Sequence, residues 1–288
     1  MLRNLTARPV LALMVLAAGC VHKKSADAET VSLSSASGCA TVALVGGRVL
    51  SWKDADGREL FFMPVRQWSE NGDWSHGGMS ICWPWFGRKG NDQSLIHGFG
   101  RNCRFALRSR RAVANGEEAV LGMKVAKSDN TLFPYDAEVE LTVSLTDRLT
   151  LKLKTVNTGR EPFKFSGGVQ SYFPVEDYGK IMFFGMDNEE FAAVNGMDKA
   201  FKRASGDFGV RNLAARRTYT LTASGNNGIV VWTPGTVEPA NRNLAPDDCP
   251  KFIVVGPSVR SAEGEITVDG GKAYEITYTL KKSVIEQK

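Results

Sequence analysis

Residues 137–155 read AEVELTVSLTDRLTLKLKT, and this stretch decides the fold class. From 137 to 145 every second residue is apolar and the residues between are Glu, Thr or Ser, an alternation that predicts a half-buried β-strand. Residues 146–148, TDR, form a turn, and residues 149–155 repeat the alternation with lysines on the polar side. The stretch therefore predicts a β-hairpin with one face in a core.

Short strand patterns recur outward from this hairpin. Residues 251–255 and 274–280 predict further strands, and residues 219–222 and 229–232, joined by Gly225-Asn226-Asn227-Gly228, predict a second hairpin. Long amphipathic helical patterns are absent from the sequence. Many short strands separated by turns predict an all-β protein built as an antiparallel sandwich.

The N-terminus has the layout of a secretory signal. Two arginines precede a wholly apolar run at residues 10–18, VLALMVLAA, which is shorter than the ~20 residues of a membrane-spanning helix. Residues 16–20, LAAGC, resemble a bacterial lipobox, in which the cysteine becomes the lipidated first residue of the mature protein. The resemblance implies cleavage before Cys20 and a lipid anchor. The alternatives are a chance apolar N-terminus, or ordinary cleavage that leaves Cys20 free.

The segment after Cys20 is polar. Residues 22–38, HKKSADAETVSLSSASG, hold too few apolar side chains to bury a core, which predicts a flexible tether. We therefore expect a signal peptide at 1–19, the lipidated Cys20 with its tether at 20–38, and one β domain at 39–288. The expected location is the cell envelope. Val21 is not the aspartate that retains some bacterial lipoproteins in the inner membrane, which favours the outer membrane.

Net charge and cysteine spacing limit the classes of partner, metal and cofactor that the protein is expected to bind. The chain carries 36 basic and 31 acidic residues, and without the two arginines of the leader the balance falls from +5 to +3 (34 against 31). No run of Lys or Arg accompanies this weak charge, so no nucleic-acid partner is expected. The cysteines lack CxxC spacing, so no zinc site is expected. No other metal and no cofactor are predicted. Four cysteines, which allow three complete pairings, leave both one disulfide and buried free thiols open: Cys39, Cys82, Cys103 and Cys249.

The most unusual stretch is residues 77–87, GGMSICWPWFG, followed by HGFGR at 97–101. Its aromatic residues, Trp85 among them, could form a rigid platform for the C–H face of a sugar, or they could simply fill the sandwich core. His97 could bind a sugar hydroxyl, and Arg101 could hold an oxyanion through two hydrogen bonds. The alternative for both residues is a purely structural role.

These two motifs resemble the GG(I)P(I/V)CWPWFG and HGFAR motifs of the glucose-6-phosphate 1-epimerases (hexose-6-phosphate mutarotases), a branch of the aldose 1-epimerase superfamily. Further similar segments follow in the expected order: NTG…PF at 157–163, SYF…VED at 171–177, VVWTP at 230–234 and FIVVGP at 252–257. The resemblance covers residues 43–280. It implies a galactose-mutarotase-like antiparallel β-supersandwich and a carbohydrate ligand, whether hexose, hexose phosphate or glycan.

The resemblance also implies where the chemistry belongs. Mutarotation needs an acid that protonates the ring oxygen and a base that removes the anomeric proton. The family supplies a histidine before its Tyr-Phe segment and a glutamate in its last motif, and the matching positions here are Gln170 and Gly256. A carboxamide does not titrate near neutral pH and glycine has no side chain, so both halves of the pair are absent from these positions.

Other positions of the family pattern are changed or kept. His76 replaces an arginine that is expected to help hold the substrate phosphate, whereas His97 and Arg101 are retained. Asp207 matches an acidic residue of the family only loosely. The predicted catalytic positions are therefore Gln170, Gly256 and Asp207, and the predicted substrate-binding residues are His76, Trp85, His97 and Arg101.

Two hypotheses follow from these substitutions. The first is a degenerate epimerase that binds carbohydrate at the cell envelope, because phosphosugars are chiefly cytoplasmic metabolites. The second is an active hexose or hexose-6-phosphate 1-epimerase whose acid and base lie elsewhere, with Glu176, Asp177, Asp187 and Asp207 as the candidate carboxylates.

Overall fold

The structure is a computed structural model that describes residues 29–64, 76–89, 95–187, 189–202, 206–234, 244 and 246–286. Among these residues the chain forms nineteen strands and no α-helix, in two large antiparallel sheets and one small one. The all-β sandwich predicted from the sequence is confirmed. No helix in the described part of the chain is long and apolar enough to cross a membrane.

The strands of each sheet are given in spatial order. The eight-stranded sheet contains β1 (Thr30–Ser35), β2 (Gly38–Ala43), β3 (Val49–Asp54), β4 (Met79–Cys82), β10 (Gly167–Pro174), β17 (Phe252–Val259), β16 (Gly228–Trp232) and β13 (Asp198–Lys202). The nine-stranded sheet contains β12 (Glu189–Ala192), β11 (Ile181–Met186), β14 (Phe208–Asn212), β15 (Arg217–Ser224), β19 (Ala273–Val284), β8 (Leu149–Asn157), β7 (Ala137–Leu145), β6 (Gly116–Val125) and β5 (Ala106–Val113). The small sheet pairs β18 (Ile266–Val268) with β9 (Phe163–Phe165), and 3₁₀ helices lie at Gly100–Asn102, Tyr178–Lys180, Pro246–Lys251 and Ser261–Glu263.

The hairpin that opened the sequence analysis is confirmed. Strands β7 and β8 are antiparallel, with Leu145 opposite Leu149 next to the turn. The apolar residues of both strands are buried and the residues between them are mostly half-buried, as the alternation predicts. The buried side chains point between the two large sheets and belong to one continuous core.

The second predicted hairpin is wrong. Strand β15 pairs with β14 and β19 in the nine-stranded sheet, whereas β16 pairs with β13 and β17 in the eight-stranded sheet. The turn between them is held by more distant parts of the chain, because the Asn227 side-chain amide donates to the carbonyl of Gly264 over 2.8 Å. Gly225 has a φ of +75° and lies against the backbone of Glu275. The chain therefore crosses from one sheet to the other at this turn.

The domain begins earlier than the sequence suggested. The predicted tether reaches residue 38, but residues 30–35 form β1, which pairs with β2 along its length. Val31 and Leu33 alternate with Thr and Ser, and both are buried in the main core. Two apolar residues at strand spacing are enough here because the neighbouring sheet covers them. The signal peptide and Cys20 lie outside the described residues.

A second, smaller apolar cluster lies on the opposite face of the eight-stranded sheet. It consists of Phe62, Tyr172, Phe252 and Val254, with Trp232 packed against it. Their neighbours in sequence, such as Phe173 and Ile253, belong to the main core on the other face. We call the face that carries the smaller cluster the outer face of the eight-stranded sheet. Cys39 and Cys82 are free thiols, so the free-thiol alternative holds for these two.

Candidate functional site

The positions predicted for the acid and the base lie side by side on the outer face. Strands β10 and β17 pair with Gly168 opposite Ser258 and Ser171 opposite Val255, which sets Gln170 opposite Gly256. The Cα atom of Gln170 lies 3.3 Å from the point where a Cβ of residue 256 would stand. On its other side Gln170 is paired with Ser80 of β4. The structure therefore brings these two sequence-predicted residues together.

Gly256 leaves no room for a side chain. A Cβ built at this position would lie 1.7 Å from the carbonyl oxygen of Val169 and 2.8 Å from its carbonyl carbon. Glycine permits this close approach of two strands because it carries no Cβ. In this backbone no carboxylate can extend from position 256.

Two arginines approach the same face. Arg48 directly precedes β3, is buried, and donates through Nη1 to the backbone carbonyl of His76 over 3.0 Å. Burial, with a further contribution from the positive charge of Arg101, lowers the pKa of Arg48 to about 10. Arg101 lies in the 3₁₀ helix after β4 and is half-buried, and its buried Nε has no hydrogen-bond partner among the described residues.

Tyr172 and Cys82 complete this cluster. Burial raises the pKa of Tyr172 to about 12, and the charges of Arg48 and Arg101 act against that rise. Burial likewise raises the pKa of the Cys82 thiol to about 12, again opposed by the two arginines. Both groups are therefore protonated at neutral pH and act as neutral neighbours of two guanidinium groups.

His76 joins the aromatic part of the outer face. Its ring is stacked on Trp232 with centroids 5.9 Å apart and meets Tyr172 edge-on at the same distance. Its Nδ1 lies 3.5 Å from the Tyr172 hydroxyl oxygen. His76 and Trp232 are half-exposed. The position at which the resemblance implies an arginine thus contributes an aromatic ring instead.

His97 organises the loop after β4. Its backbone N–H donates to Gly87 over 2.7 Å, and its Nδ1 accepts the Gly87 N–H over 3.0 Å. The Nδ1 is therefore unprotonated, which assigns the proton of the neutral ring to Nε2. His97 adopts a φ of +67° and its ring meets Phe86 edge-on at 4.8 Å. These contacts give His97 a structural role in holding the loop.

The aromatic loop residues Trp83 and Trp85 lie in the core. They are 0% and 3% exposed, and their indole N–H groups donate to Thr155 Oγ1 over 3.0 Å and to the Leu95 carbonyl over 2.9 Å. Both tryptophans therefore fill the core, which was the alternative stated for this segment. The structure does not place Trp85 on the outer face as a sugar platform. The half-exposed Trp232 faces the site instead.

The remaining carboxylates lie elsewhere or are engaged. Asp207 is exposed just before β14, in the sheet that does not carry Gln170 and Gly256. Glu176 accepts from the Asn212 side chain over 2.9 Å, and Asp177 accepts the Gly179 N–H over 2.8 Å. The described residues contain no group of three or more His, Cys, Asp or Glu that could hold a metal ion.

Sequence reasoning missed three residues of the outer face: Arg48, Tyr172 and Trp232. Tyr172 and Trp232 lie inside segments that resemble the family, so the two matching motifs were a usable signal. Arg48 follows two glycines at the start of an apolar strand, and nothing in that pattern separates it from a surface arginine.

Comparison with known proteins gives consistent results. The sequence profile of the aldose 1-epimerase family matches residues 29–183. A protein of Cenchrus ciliaris named as a candidate glucose-6-phosphate 1-epimerase is 27% identical over 68% of this chain and 67% of its own length. A protein of Escherichia coli with the same name is 24% identical over 79% of this chain and 82% of its own length. The crystal structure of a candidate mutarotase from Salmonella typhimurium superposes with a TM-score of 0.76 at 20% identity, over 91% of this chain and 92% of that one, and shares the fold.

Proposed function

The chain belongs to the aldose 1-epimerase family, and on that premise we propose that it is an exported lipoprotein whose domain binds a carbohydrate without the acid–base catalysis of the family. Cys20 carries the lipid anchor and holds the domain in the cell envelope, with Val21 favouring the outer membrane. The site lies on the outer face of the eight-stranded sheet, around Gln170 and Gly256.

The contact at Gly256 carries this proposal. The carbonyl oxygen of Val169 occupies the space of a side chain at 256, so the base that the resemblance implies there has no counterpart. Gln170, at the position of the acid, offers a carboxamide that can donate and accept hydrogen bonds but cannot deliver a proton. Loss of a general acid or base costs about 10²–10⁴ in rate for each group, so a bound sugar would turn over little faster than in water.

Carbohydrate binding is supported by the groups that remain. His76 and Trp232 present half-exposed aromatic rings, and the half-buried Arg101 lies nearby, its buried Nε without a hydrogen-bond partner among the described residues. Aromatic faces and oriented donors are what recognition of a sugar ring requires. The relatives named for glucose-6-phosphate 1-epimerase activity support a hexose or a hexose derivative as the class of sugar that is bound.

An active epimerase is the competing function, and one observation favours it. His76 and Tyr172 are titratable groups on the same face, and the His76 Nδ1 and the Tyr172 hydroxyl oxygen lie 3.5 Å apart, at the outer limit of a hydrogen bond. Against this, burial raises the pKa of Tyr172 to about 12, which makes its phenolate scarce at neutral pH.

Polarimetry separates the two functions. We expect freshly dissolved α-glucose and α-glucose 6-phosphate to relax at the rate of the buffer blank when the purified Cys20→Ser chain is added. A rate well above the blank that disappears in His76→Gln would refute the loss of catalysis and identify the new acid or base.

Lipidation has its own test. In bacteria that express the full chain, a radioactive fatty acid should label the wild type and the Cys39→Ser variant, whose thiol is free and exposed, but not Cys20→Ser. Labelling that persists in Cys20→Ser would remove the anchor from the proposal.

A further inference from the structure

A row of hydrogen-bond donors crosses the outer face where the acid and base are missing. Val49 of β3 is opposite Met79 of β4, so Arg48 and Ser80 are neighbours, and Ser80 is in turn opposite Gln170. The row therefore runs from a guanidinium group through a hydroxyl and a carboxamide to Gly256. Unlike an acid–base pair, this set is rich in donors and carries positive charge at one end.

Arg101 adds a second positive charge to that end. Arg48, Arg101 and Cys82 interact closely enough that the two arginines act on the titration of the thiol. Arg101 takes part in no ion pair in the described part of the chain, and its buried Nε lacks a hydrogen-bond partner there. A buried donor without a partner is unfavourable, and so is a like charge nearby in a low-dielectric setting. An anion at this point would relieve both costs.

We propose that Arg101, assisted by the charge of Arg48, is a receptor for the carboxylate of a sugar acid, so that the ligand class is a hexuronic acid or a glycan that contains one. The inference rests on the proposed function, because it assumes that the sugar lies on the outer face. The planar guanidinium fork matches a planar carboxylate through two parallel N–H···O bonds.

Two features favour a carboxylate over a phosphate. The cost of removing an ion from water grows with the square of its charge, so a phosphate monoester near −2 pays far more than a carboxylate at −1. The neighbouring part of the face is aromatic, since the ring of His76 is stacked on Trp232 where an arginine would otherwise add charge. The site therefore suits a singly charged ligand with an apolar ring face.

Isothermal titration of the Cys20→Ser chain with glucuronate, glucose and glucose 6-phosphate tests this inference. We expect glucuronate to bind about 10- to 100-fold more tightly than glucose, and Arg101→Gln to remove that difference. The preference should weaken as salt is raised in the parent chain but not in Arg101→Gln. Arg148→Gln is the matched control, because Arg148 is exposed and paired with Asp147, and it should bind like the parent.

Each of the other possible binding results contradicts a specific part of the proposal. Equal affinity for glucuronate and glucose overturns the anion receptor while carbohydrate binding stands. Tighter binding of glucose 6-phosphate than of glucuronate overturns the choice of a carboxylate. Failure of all three sugars to bind overturns carbohydrate binding and the receptor with it. Arg48→Gln should also lower the preference for glucuronate. Since Arg48 is buried, thermal unfolding must first show that this variant folds, and Arg101→Gln carries the test if it does not.

Discussion

Replacing Gly256 by alanine tests the feature on which the proposed loss of catalysis depends. The new Cβ would lie 1.7 Å from the carbonyl oxygen of Val169, whereas the closest ordinary C···O contacts are roughly 3.3 Å. Strands β10 and β17 would have to separate locally by about 1.6 Å. That movement would break about two neighbouring ladder hydrogen bonds, at 0.5–1.5 kcal/mol each, and add about 1–3 kcal/mol of overpacking. We expect Gly256→Ala to lower the free energy of unfolding by about 2–6 kcal/mol.

Urea unfolding followed by tryptophan fluorescence measures this change, because Trp83 and Trp52 are buried in the core. Gly206→Ala is the matched control, since a Cβ at Gly206 meets nothing within 4 Å and its φ is not in the left-handed region. That variant should stay within about 0.5 kcal/mol of the parent.

A Gly256→Ala variant as stable as Gly206→Ala would refute the reasoning. It would mean that β17 moves aside at little cost, and that the backbone does not exclude a side chain from position 256. The absence of a base would then rest on the residue type alone, and Gly256→Glu would be expected to fold.

Three further predictions concern the fold. Trp83→Phe should cost about 1–3 kcal/mol in urea unfolding, because it leaves the buried Thr155 hydroxyl without the indole N–H that lies 3.0 Å away. Leu33→Ala should cost about 2–5 kcal/mol in the same assay, because β1 is part of the core rather than of a tether. Asp54→Asn should make the free energy of unfolding less dependent on pH at the acid end. Burial acts to raise the pKa of Asp54, but the bonds from Lys282 and from backbone N–H groups lower it below its ordinary 3.8. The Asp54 carboxylate therefore contributes its full stabilisation above that value and loses it as the pH falls toward the lowered pKa.

Each of these three predictions has its own control. Thr155→Val combined with Trp83→Phe should cost less than the sum of the single changes, and additive costs would mean that the bond contributes nothing. Ser32→Ala, at an exposed neighbour, should be near neutral, and an equally small effect of Leu33→Ala would return β1 to the tether. Parallel pH profiles of Asp54→Asn and the wild type between pH 3 and 5, measured by urea unfolding, would remove the Asp54–Lys282 ion pair as a source of stability.

The two predicted hairpins show which features of the fold can be predicted from local sequence patterns. The alternation at 137–155 predicted both strands and their buried faces correctly, because the side-chain period of a strand is a local property. The strands around Gly225 were also predicted correctly, but not their partners. Pairing depends on which distant strand offers a matching edge, and the turn is held by Gly264 and Glu275, far along the chain. The aromatic loop shows the same dependence on distant partners. Its composition is compatible with either a core position or a sugar platform, and only the contact of Trp83 with Thr155 of the other sheet shows that Trp83 lies in the core.

The sequence by itself determined the strand pattern, the export-like N-terminus and the identity of the residues at the two positions predicted for the acid and the base, because each is a property of residue type and order. Tertiary structure alone decided three things: that Gln170 and Gly256 are neighbours, that the carbonyl of Val169 fills the space beside Gly256, and that the charge of Arg101 acts on Arg48. Each joins residues from separate segments through strand register. A shift of one residue in that register would turn these side chains to the opposite face of the sheet, and composition and periodicity do not contain that information.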